Sequence, residues 1–291
     1  MSTTNPRSSA LGAVSVGAAR TREHAADGTG ARRRRLSGWQ RLISPLALLV
    51  VWQLVNVAGL VSARKLPPPT QVVSTAATLI TTNSAAYGTL QNALLASLGR
   101  MLVGFALGAI VALALALVSG LSRAGEEAVD PLMQMVRTLP LFGLVPVFIV
   151  WFGIGQLPKE LLIALGAAIP LYLNTFAGIR SVDGNLAELG QVLGLSRREL
   201  IRHVVIPGAL PQVLVGLRQS LGVAWLSLVV AEQLNTSNGL GFMINQATQF
   251  LQNDVIFVVL LVYTILGLFT DWIVRRIERR ALAWRHGLLA A

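Results

Sequence analysis

Apolar residues in this chain come in long, almost uncharged runs set apart by short polar stretches. Six of these runs approach the roughly 20 residues that a helix needs to cross a bilayer, near residues 42–60, 97–119, 132–153, 160–179, 213–233 and 255–274. The pattern predicts an all-α membrane protein with six transmembrane helices. No ladder of short segments alternating apolar with polar is present, which excludes a β-barrel. Between the first two runs, Leu66-Pro67-Pro68-Pro69-Thr70 and a helix-compatible stretch to Ala96 form a long loop.

The polar segment between the fourth and fifth runs, residues 180–212, has a pattern of its own. Asn185 followed by Glu188 sets a capping residue three positions before a glutamate, which predicts a helix start. That helix carries Leu186, Leu189, Val192 and Leu193 on one side, and Gly194 supplies the left-handed residue that closes helices. Ser196 with Glu199 repeats the capping box and opens a second helix bearing Leu200, Ile201, Val204 and Val205, which Pro207 is expected to end. The stretch Glu188–Pro207 is thus predicted as two short helices meeting at a tight corner. On periodicity alone, an interfacial helix pair lying on the membrane stays an open reading. A DNA-reading helix-turn-helix would need freedom from the bilayer to reach a groove, and the links to the neighbouring runs are too short for that.

Composition agrees with the pattern. Of the 291 residues, 54% are hydrophobic and only 13% charged, and the mean hydropathy is +0.63, outside the range of soluble domains. A formal charge of +11 would suit nucleic acid, but no basic soluble domain is present to carry such a function. The chain has no cysteine, and His24, His203 and His286 are too scattered to form a metal site.

Charge instead sets orientation. With the N-terminus inside, the inner segments hold the arginine-rich tails together with Arg123, Arg180, Arg197, Arg198 and Arg202, whereas the outer ones hold only Arg64, Lys65 and Lys159. Both termini and the Glu188–Pro207 loop are therefore expected in the cytoplasm. Residues 1–37 read as a disordered basic tail with too little apolar surface to fold. Residues 38–96 read as an uncleaved first span with its outer loop, 97–274 as the main transmembrane domain containing the 180–212 loop, and 275–291 as a second basic tail.

Charges inside a bilayer are expensive and are functional suspects. Arg137 falls in the inner part of the third run, Arg218 near the inner start of the fifth and Glu232 near its outer end. Snorkelling to the interface accounts for Arg218. Arg137 suits a path for an anion, with snorkelling as the competing reading, and Glu232, which would repel an anion, suits packing or a gate. Pro140, Pro146 and Pro170 interrupt the third and fourth runs, and Gly104 with Gly108 permits close helix approach.

The spacing Glu188-Leu189-Gly190, Gly194 and Val204-Val205-Ile206-Pro207 resembles the signature loop of the permease subunits of binding-protein-dependent ABC importers, with Leu189 and Gly190 standing where two alanines are usual. Arg137-Thr138-Leu139-Pro140, Trp151-Phe152-Gly153-Ile154-Gly155, the stretch Trp225–Glu232 and Gln252-Asn253-Asp254-Val255 resemble the subgroup importing sulfonates, taurine and nitrate, closest to the aliphatic sulfonate permeases. The resemblance implies a type I importer fold in a bacterial cytoplasmic membrane. It also implies a transport subunit whose loop Glu188, Leu189, Gly190, Gly194, Leu195, Ser196, Glu199 and Pro207 couples to an ATPase dimer. A second permease copy, an extracytoplasmic binding protein and surrounding lipid are the further partners, with no nucleic acid.

The chain's two lysines, Lys65 and Lys159, lack the Gly-Lys-Ser/Thr context of a phosphate loop. ATP and magnesium are thus expected on a partner subunit, with no cofactor, catalytic residue or metal in this chain. Aliphatic sulfonate is the expected solute, with taurine, nitrate or an uncharged heterocycle as alternatives. A secondary transporter, the reading from a different class, would be expected to carry mid-span carboxylates or broken helices for a coupling ion, and Glu160, Glu232 and Asp271 do not lie mid-span.

Overall fold

The computed structural model describes residues 40–84, 86–233 and 236–283. The chain divides into two compact units, Met1–Leu46 and Ala47–Ala291. Of the first, only the residues that begin helix α1 are described. The expected N-terminal tail, and the part of the C-terminal tail beyond residue 283, lie outside the described residues.

Among the described residues the secondary structure is helical, with no strand. Helix α1, Gln40–Val57, ends where Gly59 takes φ +66° and the Leu60 N–H reaches back to the Val55 carbonyl. Its apolar part, Ile43–Val57, is about 22 Å long at 1.5 Å per residue, short of the roughly 30 Å of a bilayer core. Helix α2, Pro69–Thr81, lies in the expected long loop and opens on proline, where a missing N–H is harmless. Helix α3, Leu90–Leu121, is capped by Thr89, whose side chain accepts from the Asn92 N–H.

The third expected span is not one straight helix. Helix α4, Arg123–Thr138, carries Glu126, Glu127, Asp130 and Arg137. It meets the apolar segment Leu141–Phe152, a 3₁₀ turn followed by α5 (Val145–Phe152), at a bend of 93°. Pro140 is the cause: its ring pushes the preceding residue out of the helical region, and Leu139 is extended at φ −71°, ψ 135°.

Helix α6, Leu157–Arg180, is followed by α7, Gly184–Val192, and α8, Arg197–Leu200. A π-helical turn, Ile201–Val205, leads without a break into α9, Ile206–Gln233. Helix α10, Leu240–Gln249, and α11, Asn253–Ala281, complete the order. Four helical runs among the described residues are long and apolar enough to cross a membrane: α3, α6, Arg197–Gln233 and α11, or five with the bent pair counted as one span.

Helix α6 is the centre of the packing, lying against α3 on one side and α9 on the other. Its apolar window is 56% buried, against 11% for α11. Small residues bring the axes together: Gly104, Gly108, Ala112 and Ala116 recur every fourth position on α3 and are all buried. A Cβ at Gly104 would lie 2.7 Å from the Glu160 carbonyl oxygen. The fully buried Tyr172 of α6 closes this seam, bonding Ser119 at 3.1 Å and Asp130 at 3.3 Å.

Candidate functional site

Two polar regions flank the α8–α9 run. At its start, the chain folds as two short helices with a corner. The cap of α7 differs from expectation: the Asp183 carboxylate accepts from the Asn185 N–H at 2.9 Å, so the helix begins at Gly184 and Glu188 lies inside it rather than closing a capping box. Asp183 wins because a carboxylate one residue before the helix reaches the second free amide directly. Glu188 is exposed.

The corner forms as predicted. Gly194 takes φ +80°, and the Leu195 N–H bonds the Gly190 carbonyl at 3.0 Å, satisfying an orphan acceptor at the helix end. Ser196 and Glu199 form the reciprocal capping box. Gly190 is buried where the two helices cross, and a Cβ there would lie 2.7 Å from Leu200 Cδ1.

Pro207 does not end the second helix. The Ile206 N–H bonds the Ile201 carbonyl, five residues back, and this widened turn lets the proline pass without its ring striking the preceding turn. The second short helix and the following span are therefore one helix of 37 residues, Arg197–Gln233. Arg197 also donates to the Leu121 carbonyl at the C-terminus of α3, and Arg180 pairs with Glu126 at 2.7 Å. A cavity of about 310 Å³ lies between these elements, lined by Gly120, Ile179, Arg180, Arg197, Leu200 and Val205 among others.

The apolar side of α7 stays open. Leu186, Leu189, Val192 and Leu193 are 51%, 57%, 84% and 79% exposed, forming one contiguous apolar face on a polar loop.

The far end of the run is the opposite. Glu232 is 1% exposed, and its carboxylate accepts from Ser97 Oγ at 2.7 Å and the Gly241 N–H at 2.9 Å, with Tyr263 at 3.4 Å. Arg100, itself 4% exposed, forms an ion pair with it. The guanidinium also donates to Gln156 and to both the carbonyl and side-chain oxygens of Asn238. Gly239, at φ +116°, and Gly241 leave the space: a Cβ on either would fall within 2.7 Å of an atom of Arg100 or Glu232. Five elements are joined here without a buried charge left unpaired.

Arg100 is absent from the residues the sequence predicted. A guanidinium inside an apolar run was the available signal, since such a group needs a partner. Arg218 pairs with Asp271 at 3.2 Å and Glu278 at 2.8 Å. Arg137 lies at the C-terminus of α4 beside the bend, exposed, and bonds Gln134 at 3.4 Å. The predicted residues thus separate into the corner, the buried Glu232 and the exposed Arg137.

Residues 104–282 match the family described as the inner membrane component of binding-protein-dependent transport systems. The chain belongs to this family: it is the permease subunit of an ABC importer and a multi-pass protein of the cytoplasmic membrane. Among its relatives, the aliphatic sulfonates transport permease protein SsuC of Bacillus subtilis (strain 168) is 42% identical over 254 residues, 87% of this chain and 90% of the relative. The taurine transport system permease protein TauC of Escherichia coli (strain K12) is 35% identical over 240 residues, 82% of this chain and 87% of TauC. The fold is that of a chain in an inward-facing structure of the MetNI methionine ABC transporter, with TM-score 0.58, 20% identity, and coverage of 66% of this chain and 95% of that one.

Proposed function

We propose that this permease imports small sulfonates, with six membrane crossings per chain and with both termini and the α7–α8 corner in the cytoplasm. Two copies stand over a pair of ATPase subunits, which bind the ATP and magnesium. The chain itself does no covalent chemistry. It alternates inward and outward access as its partner closes and opens.

The observation that carries this reading is the open apolar face of α7 at a capped corner that leads through α8 into α9. Leu186, Leu189, Val192 and Leu193 are the anchors for a groove on the ATPase, flanked by Glu188. Gly190 lets the two short helices cross. Gly194, Leu195, Ser196 and Glu199 hold the corner, and the turn before Pro207 passes its displacement into the span. Arg137, exposed beside the Pro140 bend, is a path residue for an anion. Glu232, neutralised by Arg100, serves as an outer seal and is poorly suited to carry a coupling ion. The binding protein docks on the outer segment 235–254, whose described part holds α10 together with Phe250 and Leu251, 59% and 83% exposed.

Sulfonate is preferred to taurine on the greater identity to SsuC than to TauC, 42% against 35%. The test is co-expression with the ATPase and binding protein of the same genome and reconstitution into liposomes. Ethanesulfonate is expected to drive uptake and stimulate ATP hydrolysis more than taurine or nitrate. A larger response to either competitor overturns the sulfonate assignment, and purification without any ATPase overturns the docking role of the corner.

A further inference from the structure

Three amide side chains form a ladder across the α6–α9 face. Asn174 Nδ2 donates to the Pro170 carbonyl at 2.8 Å and to Gln219 Oε1 at 2.9 Å, and Gln212 Nε2 donates to Asn174 Oδ1 at 3.1 Å. A backbone carbonyl can only accept, so Pro170 fixes which end of Asn174 is nitrogen and thereby the polarity of the whole ladder. Gln219 consequently bonds through its oxygen and leaves two N–H donors without a bond among the described residues. The ladder is held close because Gly216 has no side chain: a Cβ there would lie 2.7 Å from Asn174 Cβ.

The surroundings separate this face from the lipid-facing ones. On α3 the exposed large positions include Leu102, Leu107 and Ile110, and on α11 Leu261, Ile265 and Leu268, all apolar. On α9 one exposed stripe reads Gln212, Val215, Gln219 and Gly222, before Leu226 continues it as an apolar position, at the spacing of a single helix face. A Cβ at Gly222 would touch nothing, so its smallness leaves the stripe open. Amide donors with no partner are costly against hydrocarbon and are expected to face water or a polar ligand. Arg218, adjacent in sequence, is engaged by Asp271 and Glu278, so the stripe offers neutral donors instead of a full positive charge.

We infer that the Asn174–Gln212–Gln219 ladder lines the solute path and that the free Gln219 N–H groups hydrogen-bond the acceptor oxygens of a passing sulfonate. The inference rests on the importer reading for the path and on the sulfonate reading for the ligand. Neutral donors suit this task because a path must bind its solute weakly enough to release it. Gln212 and Gln219 are seven positions apart, so the ladder spans about 10 Å of the path.

The chain's lack of cysteine permits a direct test on the whole permease–ATPase complex in nanodiscs, using Gln212→Cys, Gln219→Cys and the lipid-side control Ile265→Cys. The membrane-impermeant reagent sulfonatoethyl methanethiosulfonate is expected to label the first two at least about tenfold faster than the control, because the charged reagent does not partition into hydrocarbon. In liposomes, Gln219→Leu is expected to lower ethanesulfonate uptake about tenfold while Gln219→Asn keeps most of it, as loss of a hydrogen bond to a charged group predicts. Labelling no faster than at Ile265→Cys overturns the inference, because the face then meets lipid or a second copy. Unchanged uptake by a folded Gln219→Leu overturns the contact with solute. If that variant does not fold, the labelling ratio decides. Purification of the chain without an ATPase overturns the docking role of the corner instead, and the labelling ratio still reports whether the face is wet.

Discussion

The two ends of the Arg197–Gln233 helix are completed in opposite ways. At Glu232 the polar groups of several helices converge, become buried and satisfy one another within the chain. At the α7 corner the backbone is capped just as fully, yet the apolar side chains beside it face outward. One end is closed by the chain itself and the other is left open. A continuous helix of 37 residues, about 55 Å long at 1.5 Å per residue, links them.

The comparison breaks most visibly at the buried pair. Arg100→Met removes the ion-pair partner of the buried Glu232, and the expected loss of stability is about 3–5 kcal/mol, whereas the double variant Arg100→Met/Glu232→Leu recovers much of it. Denaturant unfolding in detergent of both singles and the double measures this. A single-variant loss below about 1 kcal/mol would mean that this end is open to water after all. Gly241→Ala acts at the same place, since the new methyl would sit 2.6 Å from Glu232 Cβ and 3.1 Å from the Val229 carbonyl, and overpacking of this kind costs about 1–3 kcal/mol.

At the open end the largest effect is on association. Leu189→Asp replaces a half-exposed side chain, so the permease's own stability is expected to stay within about 0.5 kcal/mol. Its affinity for the ATPase is expected to fall by about 2 kcal/mol or more, the loss typical of an interface anchor. Unfolding curves and ATPase retention on an affinity column measure the two sides separately. A stability loss without a loss of retention would make α7 a packing element and erase the contrast between the ends.

Gly194→Val tests the corner between them. Its φ of +80° is costly to a β-branched residue, by about 1–2 kcal/mol, and nothing lies within 4 Å to oppose the side chain otherwise. The expected outcome is a small drop in stability with a large drop in solute-stimulated ATP hydrolysis, because α7 is re-aimed. Full retention of coupled hydrolysis in the purified complex would remove Gly194 from the coupling role.

Local chemistry accounts for what was legible in the sequence. The corner could be read because its determinants are neighbours: a glycine for positive φ and a serine three residues before a glutamate. Four of the six apolar runs became full-length spans for the same reason, since helix length follows from an unbroken apolar stretch. Pro140 and Pro207 show where local signals stop deciding. Both remove an N–H, but the first sits beside an extended Leu139 and yields a right-angle bend, while the second is absorbed by a π turn. The Arg100–Glu232 pair, 132 positions apart, and the Asn174–Gln219 bond, 45 apart, depend on which helix faces meet, and that register is set by the small residues of the α3–α6–α9 seam acting together.

Gly190 gives the smallest effect and the finest comparison. In the sequence it stands where alanine is usual, and its propensity alone lowers the stability of α7 by about 1 kcal/mol relative to alanine. The structure supplies an opposing reason, the 2.7 Å approach to Leu200 Cδ1. That atom is the end of a flexible side chain, unlike the backbone carbonyl and Cβ that confront Gly241, so Leu200 can turn away for a rotamer strain of about 0.5–1 kcal/mol. Gly190→Ala is therefore expected to be near neutral or stabilising by a few tenths of a kcal/mol, read as equal or slower amide exchange across Gly184–Val192, where Gly241→Ala destabilises. If the two substitutions cost the same, the α7 crossing is as tightly packed as the Glu232 end, and the corner is a finished structure in the permease alone.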